Sequence, residues 1–152
     1  MMTAQYILRY GLAGLLALTG IAKLLDVPGF GQVLNTYQAL PPWALQPVAL
    51  ACGLMELRLA EWLVSGKRLP QAALASLMLH SAFACWSALT LLRGIAIPNC
   101  GCFGVFWARP LSWVTVGEDL VLVLSSWALY RLGLLSLPRH SAGPVRMERR
   151  SA

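Results

Sequence analysis

Four long runs of apolar residues divide the chain. They cover residues 6–25, 43–64, 71–92 and 111–135. A hydrocarbon core about 30 Å thick is crossed by an α-helix of about 20 apolar residues, so each run is long enough to span a membrane. The pattern predicts an all-α protein, a polytopic four-helix transmembrane bundle over residues 1–137.

Glycine, proline and basic residues mark the segments between and after these runs. The first connector, residues 26–42, contains a predicted short surface helix over 30–40, and residues 65–70 form a tight basic turn. Residues 93–110 form the third connector. The last segment, 138–152, is basic and broken by proline and glycine, which is typical of a disordered tail.

Composition supports a membrane protein of one domain. The chain is 58% hydrophobic and 12% charged, against about 25% charged residues in ordinary soluble domains. Its net charge is +6, but basic and aromatic residues do not interleave as in a nucleic-acid reader, so anionic membrane lipid is the expected partner. The first run is predicted to be a retained helix, because its n-region carries only Arg9 and no small-x-small cleavage site precedes Lys23.

Basic residues predict the orientation of the bundle. An even number of spans puts both termini on the side of Lys67 and Arg68, together with the basic tail. That side is cytoplasmic by the positive-inside rule. The connector 93–110 then lies at the periplasmic face of a bacterial inner membrane, where disulfides form and persist.

Residues 98–104 read Pro-Asn-Cys-Gly-Cys-Phe-Gly and hold two of the four cysteines, Cys100 and Cys102. Proline and glycine predict a turn that brings the two sulfurs together. A disulfide across this spacing would be strained, and strained disulfides are the more oxidising ones. A redox pair is therefore favoured, with Arg93 and Arg109 as cations that could lower a thiol pKa. The alternatives are a structural clip and a soft-metal site, which two sulfurs leave half complete.

Ionisable residues inside the spans predict polar contacts. Depth estimated at about 1.5 Å per residue pairs Glu56 with His80, as a contact or a shared polar pocket. It also predicts contacts of Lys23 with Glu118 and Asp119, and of Arg9 with Glu61. These groups are either ion pairs that pin the helices together or, for Glu56 and His80, a proton-handling site.

Cys52 and Cys85 also fall at similar predicted depth, in the second and third runs. A buried free cysteine usually behaves as a small hydrophobic residue. The alternative is a second redox pair that relays electrons from the surface turn towards a quinone. No metal is predicted, and quinone is the one cofactor that this pattern raises.

Several elements together resemble the MauE family of methylamine-utilisation membrane proteins and the wider DoxX-like group of redox-associated four-helix membrane proteins. The most specific is the Cys-Gly-Cys-Phe-Gly sequence of residues 100–104. The supporting residues lie along the chain: Gly20, Ala22, Lys23, Leu24, Asp26, Phe30, Tyr37, Leu40, Pro41, Glu56, Arg93 and Gly94.

The resemblance implies a role in processing or maturation of the disulfide-rich small (β) subunit of periplasmic methylamine dehydrogenase, or of a similar client. It implies a thioredoxin-like periplasmic partner, MauD, and makes Cys100 and Cys102 the redox pair of a thiol–disulfide oxidoreductase. Lys23, Glu56 and Asp119 would be polar residues of the bundle. Two other functions stay open: a non-catalytic docking or export subunit, and a quinone-linked thiol oxidoreductase.

Overall fold

The computed structural model describes residues 2–136, and within them the protein is all-helical. Four long helices and one short one follow each other along the chain: α1 (Met2–Leu25), α2 (Val27–Thr36), α3 (Pro42–Ser65), α4 (Leu69–Leu92) and α5 (Trp113–Leu135). The four apolar runs thus correspond to the four long helices, as predicted. The predicted tail, 138–152, lies outside the described residues.

Local sequence signals set where these helices begin and end. The Asp26 side chain accepts a hydrogen bond of 2.8 Å from the backbone N–H of Gly29, which caps α2 and starts it earlier than the predicted residue 30. Pro42 opens α3, and Gly66 ends it in the left-handed conformation at φ +66°. The basic turn 65–70 is therefore very short, and α3 and α4 run antiparallel.

Two of the helices are long and apolar enough to cross a membrane, Thr3–Leu25 and Leu69–Leu92. Helices α3 and α5 have similar lengths, but each carries three charged residues, against two in α1 and none in α4. In α3 these are Glu56, Arg58 and Glu61, and in α5 they are Glu118, Asp119 and Arg131.

The long helices pack as two close pairs, α1 with α3 and α4 with α5, and the contacts between the pairs are fewer. A buried cluster that includes Leu16, Leu63 and Leu129 joins the pairs near the basic turn. Towards the opposite end the pairs separate around a cavity. The helix pairs are therefore closely packed at the end that carries the basic turn, and they enclose a cavity towards the other end.

Helices α1 and α3 approach closely because glycines face each other. A Cβ atom on Gly20 would lie 3.0 Å from the Gly53 carbonyl oxygen, and one on Gly53 would lie 2.7 Å from the Leu24 side chain. Since Leu24 lies beside Gly53, residues 42–52 of α3 extend past the end of α1. That extension packs against α2, where Ala49 contacts Phe30 and Val33.

The close approach buries an ion pair between the two helices. The Lys23 ammonium lies 2.9 Å from Glu56 Oε1 and 2.8 Å from Oε2, and the two residues are 4% and 1% exposed. The predicted contacts of Lys23 with Glu118 and Asp119 are wrong. The depth estimate assumed that all runs end at one level, whereas α3 extends beyond α1.

The predicted Arg9–Glu61 contact is also wrong. Arg9 lies at the basic end, where its guanidinium donates hydrogen bonds of 2.7 and 2.6 Å to the Leu63 and Val64 carbonyls. Because α3 ends there, these carbonyls lack the usual helical N–H donor four residues on, although the Leu63 carbonyl also accepts the Gly66 N–H at 3.2 Å. Glu61 instead pairs with Arg58 one turn away, on the exposed surface.

We expect the Lys23→Met substitution to destabilise the protein by about 3–5 kcal/mol, because it leaves the Glu56 carboxylate buried without a partner. The double variant Lys23→Met, Glu56→Leu should regain most of that loss. Unfolding in detergent micelles measures both. Glu61→Gln is the control, because an exposed pair contributes about 0–1 kcal/mol. A double variant no more stable than the single one would contradict the ion-pair explanation.

Candidate functional site

The Cys-Gly-Cys turn is held in shape by the side chain of Asn99. Its Oδ1 accepts a hydrogen bond of 2.9 Å from the Gly101 N–H, and its Nδ2 donates one of 3.1 Å to the Gly104 carbonyl. The Gly104 N–H also donates to the Gly101 carbonyl, at 3.1 Å. Asn99 thus closes both ends of the turn that presents the two cysteines.

Glycine is required at both positions of this turn. Gly101 has φ +74°, and a Cβ there would lie 2.9 Å from the Phe30 ring. Gly104 has φ +61°, and its Cβ would lie 2.8 Å from the Ala22 carbonyl oxygen. The turn therefore lies directly on α1 and α2, in a backbone conformation that other residues rarely adopt.

The returning half of the connector pairs with the first half. The Cys100 N–H donates to the Arg109 carbonyl at 2.8 Å, and the Leu111 N–H donates to the Ile97 carbonyl at 3.0 Å. This pairing places Arg109 beside Cys100. The Arg109 guanidinium makes two hydrogen bonds with Glu118 of α5, so the cation is anchored on the helix below it.

Two buried side chains attach the cysteine backbone to the helices. The Tyr37 hydroxyl donates a hydrogen bond of 2.7 Å to the Cys100 carbonyl. The Lys23 ammonium, already paired with Glu56, donates a third bond of 3.0 Å to the Cys102 carbonyl. The Cys100 backbone is therefore anchored at the C-terminal end of α2, where Tyr37 lies, and the Cys102 backbone is anchored on α1.

The two sulfurs lie 2.7 Å apart as free thiols. A disulfide bond is about 2.05 Å long, so the pair needs only a small movement to form one. Cys100 is buried, at 8% exposed, and Cys102 is partly exposed. The geometry is that of a pair able to alternate between dithiol and disulfide.

The surroundings make the two thiols unequal. The hydrogen bond with Cys102 is the largest effect on Cys100 and, with help from Arg109 and against burial, it lowers the pKa of Cys100 to about 6. The same bond, then burial and the negative charges of Cys100 and Asp119, raise the pKa of Cys102. Cys100 is therefore a thiolate at neutral pH, and Cys102 keeps its proton.

Tyr37 keeps its proton beside this thiolate. Burial first, and then the negative charge of the Cys100 thiolate, raise the pKa of its hydroxyl. The hydroxyl can therefore donate to the Cys100 carbonyl throughout the physiological pH range.

A cavity of about 860 Å³ begins at the two cysteines and runs between the helix pairs. Its lining includes most of the intramembrane polar residues of the sequence analysis: Lys23, Glu56, His80, Glu118 and Asp119. Asp119 accepts one long hydrogen bond of 3.5 Å from Ser87. In the described part of the chain it makes no ion pair, unlike Glu56 and Glu118.

Of the two alternatives predicted for Glu56 and His80, a direct contact is wrong, whereas a shared pocket is confirmed because both residues line this cavity. Glu56 faces Lys23, whereas the Nδ1 atom of His80 lies 2.8 Å from the Ser76 carbonyl of its own helix. The same nitrogen lies 3.4 Å from the Ser126 hydroxyl of α5. Nδ1 of His80 therefore contacts the Ser76 carbonyl and the hydroxyls of Ser76 and Ser126, and neither serine was predicted to have a role.

Cys52 and Cys85 face different surroundings. Cys52 lines the cavity, whereas Cys85 is exposed and lies outside that lining. Arg93 donates to the Tyr37 carbonyl at 3.3 Å, so Arg109 is the arginine that acts on the thiols. No cluster of three or more metal-ligating side chains occurs among the described residues.

Two residues of the site were given no role by sequence reasoning, Tyr37 and Asn99. The Asn-x-Gly spacing before the second cysteine is a recognisable signal for a side-chain-capped turn. Tyr37 is one of the residues that support the family resemblance, but no local pattern indicates its hydrogen bond, because its partner lies 63 positions away in the sequence.

We expect Cys100 to be alkylated with a pH midpoint near 6, because the thiolate is present above its lowered pKa. Removing the hydrogen bond with Cys102→Ala should move the midpoint upward, towards about 8.5. A Cys52→Ala, Cys85→Ala background leaves only the turn cysteines, and mass spectrometry identifies the labelled residue. A midpoint near 8.5 with Cys102 intact would contradict the assignment of Cys100 as the thiolate.

Comparisons with known proteins match most of the chain and agree with one another. The family model described as methylamine utilisation protein MauE matches residues 1–131. A protein of Paracoccus denitrificans named methylamine utilization protein MauE is 34% identical over 122 residues, which cover 80% of this chain and 66% of that protein. A protein of the same name from Methylorubrum extorquens is 33% identical over 115 residues, covering 76% and 62%.

A third protein of that name, from Paracoccus versutus, is 32% identical over 135 residues, covering 89% of this chain and 72% of its own length. The chain thus spans about two thirds of the length of these curated relatives. No solved structure is significantly similar to it. The extent of the family match and the identities above 30% show that the chain belongs to the MauE family.

Proposed function

We propose that this protein is a multi-pass protein of the bacterial inner membrane that carries out thiol–disulfide exchange at its periplasmic face. The reacting groups are Cys100 and Cys102, and the four long helices form a transmembrane bundle that holds them. The supporting observation is the geometry of the thiol pair: two sulfurs lie 2.7 Å apart, on a turn whose backbone is anchored by the buried side chains of Tyr37 and Lys23.

The distribution of charge supports this orientation. The end opposite the cysteines carries Arg9, Lys67, Arg68 and Arg131. At the cysteine end the two charged pairs, Lys23–Glu56 and Arg109–Glu118, are internally neutralised. With Asp26, Arg93 and Asp119 counted as well, the cysteine end carries three basic and four acidic residues. A basic end retained in the cytoplasm and an end without excess positive charge exported from it fit the positive-inside rule.

In the proposed reaction, the Cys100 thiolate attacks a disulfide of the partner. One sulfur of that disulfide leaves as a thiolate, and the other forms a mixed disulfide with Cys100. Cys102 then loses its proton and attacks Cys100 Sγ, forming the Cys100–Cys102 disulfide and releasing the second partner thiolate. The reverse sequence oxidises a dithiol partner, so the direction depends on the relative potentials.

Asp119 is the proposed acceptor of the Cys102 proton. It lines the same cavity, and its charge is near enough to raise the pKa of Cys102. The other carboxylates of the described chain are engaged by Lys23, Arg58, Arg109 or the backbone of α2. Asp119 has only the Ser87 hydroxyl, so its lone pairs are the most available.

The proposed client is the disulfide-rich small subunit of methylamine dehydrogenase, or a similar periplasmic protein, and the proposed partner is a thioredoxin-like protein of the MauD type. The relatives' names, which refer to methylamine utilization, support this pathway.

We expect Cys102→Ser to trap a mixed disulfide between Cys100 and the thioredoxin-like partner, because the resolving thiol is absent. Cys100→Ser should trap none, since it removes the attacking thiolate. Non-reducing gels of membranes from cells that express the partner measure both. Cys85→Ser is the matched control, as it changes an exposed cysteine outside the cavity. If Cys102→Ser traps nothing and only lowers stability, the pair is a structural clip.

A further inference from the structure

The sulfur pair opens onto a chamber inside the helices as well as towards the outer surface. All four long helices contribute to its wall. Leu15 comes from α1, Val48 from α3, Ala82 from α4 and Val121 from α5. The chamber therefore occupies the gap between the α1–α3 pair and the α4–α5 pair, at the level where those pairs separate.

The chamber suits a neutral, apolar occupant. Its lining is mainly aliphatic and aromatic, and two of its charged groups are paired with each other, Lys23 with Glu56. Arg109 is likewise paired with Glu118, which leaves Asp119 as the one carboxylate of this lining without an ion pair to a described residue. A volume of about 860 Å³ falls in the range of about 300–1,000 Å³ that is typical of small-molecule sites.

Aromatic side chains surround the sulfur end of the chamber. Phe103 and Trp107 have ring centroids 5.9 Å apart, and Tyr37 and Trp86 have centroids 6.1 Å apart. All four line the cavity, as do both cysteines. A planar ring that enters the chamber therefore meets aromatic faces and the sulfur pair at the same place.

We propose that this chamber binds a lipid-soluble quinone, which accepts two electrons from the reduced Cys100–Cys102 pair. An acceptor that reaches the sulfurs from inside the helices must dissolve in an apolar chamber and carry two electrons, and a quinone does both. The proposal rests on the thiol–disulfide function above and adds the destination of the electrons.

The reaction balances with the groups present. Cys100, as the thiolate, and Cys102, as the thiol, together lose two electrons and form one sulfur–sulfur bond. The quinone gains these two electrons and two protons, one from the Cys102 thiol and one from water, and becomes the quinol. Each turnover thus leaves the protein as the disulfide, ready to oxidise a dithiol partner.

Binding is testable apart from the chemistry. Trp86 and Trp107 line the chamber, so a bound quinone should quench their fluorescence. We expect saturable quenching when decylubiquinone is added to the Cys100→Ser, Cys102→Ser protein in detergent. Ala82→Phe, which fills the chamber, should weaken binding at least tenfold. Ala51→Phe is the matched control, because Ala51 is also an exposed alanine of a long helix but lies outside the lining.

Electron transfer is tested with the reduced wild-type protein and the same quinone. We expect one quinol per protein and loss of both free thiols of the turn, with Ala82→Phe slowed at least tenfold and Ala51→Phe unchanged. Quenching that does not saturate, or that Ala82→Phe leaves unchanged, overturns the site. Saturable binding without quinol formation overturns the electron transfer and leaves an apolar ligand, such as a lipid chain.

These outcomes are independent of the proposed exchange with a protein partner. If Cys102→Ser traps a mixed disulfide but wild-type protein forms no quinol, the quinone proposal alone fails. If quinol forms but no mixed disulfide is trapped, the exchange with a thioredoxin-like partner fails and the quinone site stands.

Discussion

The buried ammonium group of Lys23 connects the helices to the cysteine turn. It bonds both oxygens of Glu56 and the carbonyl of Cys102, so all three of its protons have acceptors. A lone charge in this position would be strongly unfavourable, and the paired one is tolerated only while the three partners stay in place. The packing of α1 on α3 and the position of the turn therefore depend on each other.

The same end of the molecule gives the two cysteines different environments. The hydrogen bond between the sulfurs, with the Arg109 cation, favours a negative charge on Cys100. The same hydrogen bond, followed by burial and nearby negative charges, favours a protonated Cys102. Thiol–disulfide exchange needs this difference in pKa, because the thiolate attacks first and the protonated thiol reacts only in the second step. The turn lies at the end of the helices, and the apolar chamber between the helix pairs begins at its two cysteines.

Much of the fold follows from the sequence. Apolar runs bounded by proline, glycine and capping residues mark the long helices, and the glycines of residues 98–104 mark the turn. The partners of the ionisable residues could not be predicted from the sequence, for a geometric reason. Counting residues along a helix estimates the depth of a side chain. It does not give the rotation of the helix about its axis, or its shift along that axis relative to its neighbours. Because α3 extends past α1, Lys23 meets Glu56 rather than Asp119, and His80 is satisfied by Ser76 on its own helix.

The most direct test of this account is the pH midpoint of Cys100 alkylation in the Lys23→Met, Glu56→Leu variant. That variant removes the anchor of the turn without leaving an unpaired charge in the helices. The account predicts a folded protein whose midpoint has moved up from about 6, because the Cys102 carbonyl has lost its donor and the sulfurs lose their fixed contact. A folded variant with an unchanged midpoint would contradict it, since the cysteine turn would then be independent of the buried lysine.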